Sequence, residues 1–286
     1  MDSRDSGGGR RPRIAYSGVE GAFAQIAAGK IFPEGELVPC ASFQEAYLAV
    51  DAGDCDHAVL PIENSYAGEV GQVMDLLFRG DLFLCAVYEL EIVQNLIGTK
   101  DADLEDVKTV MSHPQALGQC GNYLRRRGFE RMPASNTARA AQEVALRQDK
   151  TLAAIASAET AKLYDLKILE RNINEEERNT TRFGVFSRTA PQQIPENGSI
   201  LLLFTVRHEA GSLARALTVI GNHGFNMKTL HSRPMKTLAW RYYFIVEAEG
   251  DLRSENGRSL LGELSENCSM LKVAGRYPAD ETLSAD

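Results

Sequence analysis

Two rhythms of apolar residues alternate along the first 190 positions of this chain. Short apolar-rich runs of strand length stand at Arg13-Ile14-Ala15-Tyr16, Leu37-Val38-Pro39-Cys40, Ala58-Val59-Leu60, Thr109-Val110-Met111 and Leu152-Ala153-Ala154-Ile155-Ala156. Between them apolar positions recur every three or four residues, as on one helix face: Phe23, Ile26, Ala27 and Ile31 within Ala22–Phe32, then Phe43–Ala52 and Val70–Phe78. Strand and helix alternating at this pitch predict a mostly parallel sheet flanked by helices. Leu82–Leu96 is a longer β-rich stretch able to carry the chain from one lobe into another. A second set follows, with helices over Pro114–Arg127, Thr137–Gln148 and Ser157–Tyr164 and short strands at Ile168-Leu169 and Phe183–Phe186. Pro114 suits a first helical turn and Asn136 an N-cap. Two such lobes place a ligand cleft at the carboxyl ends of their strands, in the crevice between them.

The pattern then changes. Thr189–Gly198 carries two prolines among polar residues and reads as a linker. Beyond it the order is strand (Ile200–Val206), helix (Ser212–Asn222), strand (Asn226–Ser232), strand (Arg241–Ala248), helix (Arg258–Glu266) and strand (Leu271–Gly275). This βαββαβ order is that of a small ferredoxin-like domain. Trp240 and Tyr242 read as part of its packing. The polar, Gly-rich residues 1–12 read as a disordered leader, with no apolar segment behind them to act as a secretory signal.

Composition narrows the class. With 286 residues, 44% hydrophobic and 24% charged, the chain has room for two or three compact units. A net charge of −8 supplies no overall basic field for nucleic acid or an anionic membrane, so an anionic ligand needs a local cationic pocket. The longest apolar runs, such as Ile200–Phe204, fall far short of a membrane span. Five scattered cysteines, odd in number and without a Cys-x-x-Cys pair, indicate reduced thiols and a cytoplasmic setting. Histidines are equally dispersed, and the expectation is of no metal.

Three strings carry candidate chemistry. Leu60-Pro61-Ile62-Glu63-Asn64-Ser65 follows a strand, so the Asn64 amide and Ser65 hydroxyl emerge at a carboxyl end, although taken alone the string reads first as a turn and N-cap leading into the helix near Val70. Ser112-His113-Pro114-Gln115 has the same position, a strand end before a helix start whose N–H groups attract anions, and Gln119 lies one to two turns on. His113 is a default acid–base at neutral pH, but a lone histidine at a helix start is commonly structural. Asn179-Thr180-Thr181-Arg182-Phe183 sets a hydroxyl, a fixed cation and an aromatic side by side before Gly184-Val185-Phe186.

In this order and spacing the three strings resemble the prephenate dehydratases, over about Arg13 to Pro278. The resemblance implies two catalytic lobes of the type II periplasmic-binding-protein kind, spanning 13–189 (lobe 1 about 13–92 and 181–189, lobe 2 about 93–180). A linker (190–198), an ACT regulatory domain (199–278) and a tail (279–286) follow. It implies dehydration and decarboxylation of prephenate to phenylpyruvate, in phenylalanine biosynthesis, without a cofactor. Thr181 is then the catalytic donor to the departing hydroxyl. Asn64, Ser65, Ser112, Gln119, Thr137, Arg182 and Phe183 are substrate contacts, Arg182 gripping a carboxylate unless it is tied to the acidic run Glu175–Glu177. Gly211-Ser212-Leu213-Ala214 and His231-Ser232-Arg233-Pro234 resemble the two effector strings of such ACT domains, implying phenylalanine as effector and a homodimer or homotetramer. Departures are Ala24 where a hydroxyl is usual, Ser212 for a small apolar residue and His231 for an acid. Arogenate dehydratase, the same chemistry on the transaminated substrate, and a non-catalytic amino-acid sensor are the alternatives. A sensor has no need of a leaving-group donor.

Overall fold

A computed structural model describes residues 10–175, 179–192, 198–236 and 238–283. Elements in chain order begin with β1 (Arg13–Ser17), α1 (Phe23–Ile31), β2 (Glu36–Cys40), α2 (Phe43–Asp51) and β3 (His57–Asn64). Next come β4 (Gly68–Glu69), α3 (Gly71–Arg79), β5 (Phe83–Glu91), β6 (Asn95–Gly98) and β7 (Thr109–Ser112). They are followed by α4 (Pro114–Gln119), α5 (Gly121–Arg127), β8 (Glu130–Pro133), α6 (Thr137–Arg147), β9 (Leu152–Ala156), α7 (Ala158–Leu163) and β10 (Lys167–Glu170). Then come β11 (Thr180–Ser187), β12 (Ser199–Thr205), α8 (Ser212–Asn222) and β13 (Asn226–Pro234). The last are β14 (Tyr242–Glu249), α9 (Glu255–Asn267), β15 (Met270–Tyr277) and β16 (Glu281–Thr282).

Contacts divide the chain into two compact units, residues 1–59 with 93–177 and residues 60–92 with 178–286. In the first, β1 pairs in parallel with β2 and with the opening residues of β3. Residues 93–175 build a five-stranded sheet ordered β10-β6-β9-β7-β8, whose β7 pairs in parallel with both neighbours. Strand alternation explains the unbroken apolar run of β9. Ala153 and Ile155 pack with Leu117 and Leu124 on one face, while Leu152, Ala154 and Ala156 pack with Ala140 and Val144 on the other. Thr160 donates to the Gly21 carbonyl (2.7 Å) and Tyr164 to that of Glu20 (2.8 Å), which ties α7 to the loop before α1.

In the second unit the strand order is β13-β14-β12-β15-β5-β11 and then β3. The small βαββαβ domain, β12 to β15, buries Ile200, Leu202, Phe204, Val246, Leu260 and Leu264 against its two helices. β11 pairs antiparallel with β5 over eight residues, Thr181 opposite Leu90 and Arg182 opposite Glu89. The far edge of β5 takes β15 at Leu84 and β16 at Tyr88 and Glu89. This pairing is why residues 60–92 and β11 group with the small domain. β11 and β5 pack closely at Gly184, where a Cβ would come within 2.6 Å of Leu84 Cδ1.

Several sequence readings change. The helix expected over Pro114–Arg127 is two, because Cys120 (φ −111°, ψ 17°) leaves the α region between them. β8 and the two-residue strands were not foreseen. Trp240 is 83% exposed and Tyr242 is also exposed, so neither packs the small domain; Trp240 sits on the β13–β14 connection with a left-handed φ of 60°. The expected tail instead forms β16 after Pro278, since backbone groups on the β5 edge are there to be paired. The leader expectation for residues 1–9, most of the linker and the last three residues fall outside the described residues.

Candidate active site

In the second unit Asn64 ends β3, and its amide is fixed by its oxygen. Oδ1 accepts the backbone N–H of Tyr66 (3.1 Å) and of Ala67 (2.9 Å), which turns the chain and orients Nδ2 the other way. Nδ2 then donates to Thr181 Oγ1 at 3.0 Å, with Asn179 Oδ1 (2.9 Å) and the Thr180 carbonyl (3.2 Å) also in reach. Ser65 closes the connection, its N–H on the Thr180 carbonyl and its Oγ accepting from the Thr180 N–H. The Thr181 oxygen is therefore an acceptor in this bond, which does not use its own proton. Phe183, on the same strand face, is buried.

Arg182 points to the opposite face. Its Nε donates to Asp280 (2.7 Å), Nη1 to Glu63 (2.9 Å) and Glu247 (3.0 Å), and Nη2 to Glu247 (2.8 Å). Burial disfavours its charge, yet Glu247 and Asp280 hold it protonated well beyond the ordinary guanidinium. Burial likewise pushes the Glu247 carboxyl up, but hydrogen bonds and charge from Arg182, with Lys228 and Tyr277 behind, bring it below its ordinary value. The expectation that Arg182 grips a substrate carboxylate is corrected: residues 181 and 182 alternate across the sheet, and its donors are taken by three carboxylates. Nor is Glu175 its partner, since that side chain accepts from Asn122.

The second string lies in the first unit. Ser112 is fully buried at the end of β7 and donates to the Ile155 carbonyl at 2.8 Å. His113 caps α4, Nδ1 accepting the Gln115 N–H (3.2 Å), and burial pushes its ring below the usual histidine value, so a neutral ring fills this structural place. Gln119, also buried, ends a helix of only six residues, and its carbonyl accepts the Glu175 N–H. Thr137 opens α6 behind Asn136, whose Oδ1 accepts the Arg139 N–H at 2.7 Å.

Of the two strings on the small domain, Gly211 takes a left-handed φ of 79° before α8, and Ser212 Oγ accepts from Arg215. Leu213 is half-buried and Ala214 exposed. On β13, Ser232 and Pro234 face outward. Arg233 does not: it holds Asp75 through Nε (3.0 Å) and Nη2 (3.2 Å) and Glu69 through Nη1 (3.2 Å). This corrects Arg233 as an effector contact. His231 turns the same way, lining a small cavity with Glu69, Glu63, Arg182 and Glu247, where burial holds the Glu69 carboxyl above its ordinary value against the opposing pull of His231 and Arg233.

Asp75 offers a stability test. Burial would raise its carboxyl, but hydrogen bonds from Arg233, Tyr243 and Lys236 bring it from 3.8 down to about 2. A depressed folded value stabilises above the unfolded one and is lost as pH falls toward the folded one. Asp75→Asn is expected to lower unfolding free energy at neutral pH by about 2 kcal/mol and to flatten its loss between about pH 4 and 2, read by urea titration at each pH.

Sequence reasoning missed Asn179, Asp75, Glu247 and Asp280. One signal was present: Glu247 interrupts the apolar run Phe244-Ile245-Val246, and a charge inside a buried strand demands a partner.

The model of the family described as prephenate dehydratase matches residues 14–191. The chain belongs to the prephenate dehydratase family. Arogenate dehydratase 2 of Petunia hybrida is 35% identical over 96% of this chain and 74% of its own length. Among solved structures, "GqqA- a novel type of quorum quenching acylases" superposes with a TM-score of 0.85 at 31% identity, over 93% of this chain and 98% of that one. Prephenate dehydratase of Arthrobacter aurescens, in complex with L-Phe, gives 0.85 at 24% identity, over 93% and 89%, a likeness of fold. The expected α/β class is the observed one. Among the described residues no helix is long and apolar enough to cross a membrane.

Proposed function

We propose that this chain converts prephenate to phenylpyruvate, with Thr181 as the oriented hydrogen-bond donor to the leaving hydroxyl. The C–C bond to the ring carboxylate breaks to release CO2, its electron pair completes the aromatic ring, and the C–O bond breaks opposite. Hydroxide leaves poorly, so a donor at that oxygen lowers the barrier. The observation that carries this reading is the Asn64 amide on Thr181 Oγ1 (3.0 Å), which uses the oxygen as an acceptor and does not consume its proton. A threonine hydroxyl is too weak an acid for full proton transfer, so the donor acts by orientation. Asn64 becomes a positioning residue. Ser65, Ser112, Gln119, Thr137 and Phe183 are the proposed substrate contacts.

Phenylalanine acts as effector through the small domain, read as an ACT domain, with Gly211–Ala214, His231, Ser232 and Pro234 near it, and the chain works as a homodimer or homotetramer in a reducing cytoplasm. Arogenate is the second substrate reading, favoured by the Petunia relative. An acylase needs a base to activate its nucleophile, whereas Thr181 Oγ1 meets an amide, which takes no proton.

Purified protein is offered prephenate or arogenate, and phenylpyruvate or phenylalanine is quantified. Phenylpyruvate well above the spontaneous acid-catalysed rate is expected, falling when phenylalanine is added. Faster turnover of arogenate selects the second reading, and no turnover of either ends both.

A further inference from the structure

We propose that Glu247 and Asp280 are positioning residues for Thr181, acting through Arg182. The proposal rests on the reading of Thr181 as leaving-group donor. Strands β3 and β11 are clamped on both faces at one level. Asn64 holds Thr181 on one face, and Glu63, its immediate neighbour, holds Arg182 on the other. Thr181 and Arg182 are the second and third residues of β11, where a strand is least constrained by its own ladder. A shift of the Arg182 backbone is thus a shift of Thr181 Oγ1, and a misplacement of about 1 Å at a reacting group is costly.

The two further carboxylates come from distant elements. Glu247 lies on β14 of the small domain and is only 4% exposed. Asp280 immediately precedes β16, which pairs with β5 at Tyr88 and Glu89, and Glu89 is the residue opposite Arg182. Three carboxylates around one guanidinium leave surplus negative charge, which Lys228, 3.8 Å from Glu247, offsets in part. Asp280 Oδ1 is buried without a partner among the described residues. A buried charge cluster is a weak source of stability, and apolar replacements often serve as well. What this one supplies is direction: four hydrogen bonds fix the guanidinium in plane and place, and with it the start of β11.

The experiment compares Glu247→Gln and Asp280→Asn with the wild type and with Glu249→Gln, an exposed acid on the same strand. Steady-state turnover is measured well below each melting temperature. Both test variants are expected to lose about tenfold or more in kcat, with KM within about twofold, the sign of an interaction felt at the transition state. Glu249→Gln should match the wild type. If Glu247→Gln does not fold, Asp280→Asn alone carries the same reading. A folded variant whose kcat stays within about twofold of wild type, or in which only KM or melting temperature moves, overturns the proposal. A wild type without turnover removes the functional reading itself, and this proposal with it.

Discussion

Thr181→Ala is expected to lower kcat at least about a hundredfold, as loss of one preorganised transition-state donor does, while KM and the melting temperature stay close to wild type. Folding is spared because the Asn64 amide keeps Asn179 Oδ1 and the Thr180 carbonyl as acceptors, so no buried donor is orphaned. Thr181→Ser keeps the hydroxyl but loses the γ-methyl that restricts its rotamer, and should fall between. Phenylpyruvate formation at saturating prephenate checks both. The pH profile adds a second test: a hydroxyl donor does not titrate near neutrality, so kcat should be flat there, whereas an inflection abolished by His113→Asn would return the acid role to His113. Turnover of Thr181→Ala near the wild-type rate would dismiss Thr181 as donor.

Arg182→Ala is expected to have the largest effect on stability. It removes the cation from Glu63, Glu247 and Asp280 together and strands Glu247 in the interior. Breaking a buried pair by deleting one partner costs about 3–5 kcal/mol, a large part of the roughly 5–15 kcal/mol that holds a typical domain folded. Arg182→Lys keeps the charge but loses the planar fork that serves three carboxylates at once, so it should recover only part of the loss. Urea unfolding monitored by far-ultraviolet circular dichroism measures both. The loss should shrink in acid. Glu247 titrates below its ordinary value when paired, so its contribution is complete above the unfolded value and disappears as pH falls through the folded one. An Arg182→Ala variant as stable as wild type at neutral pH would mean that the cluster is energetically idle.

Periodicity made most elements legible before any coordinates. Helix Ser212–Asn222 matches α8 to the residue, and β9 matches its apolar run. Failures occurred where local pattern carries no information. Cys120 breaks a helix whose apolar spacing continues through it. β16 exists because an edge of β5 awaits pairing, not because Glu281-Thr282 is strand-like. Within the site, the sequence brought Asn64 and Thr181 forward, but Arg182 was assigned by residue type. Alternation along β11 sends it away from Thr181, and Glu63, just before Asn64, was the cue to its true face. Glu247 and Asp280 lie 65 and 98 positions from Arg182, beyond the reach of any local pattern.

Those separations also bear on when the cluster forms. Closing it joins segments 65, 98 and 119 positions from Arg182, so its loop-closure entropy is offset only once much of the second unit is in place. Contacts that mature after the folding barrier govern how fast a protein comes apart rather than how fast it assembles. Weakening the Arg182 cluster should therefore quicken unfolding while leaving refolding nearly unchanged. By that account the interactions around Arg182 serve as a late-engaging latch, setting the lifetime of the folded chain.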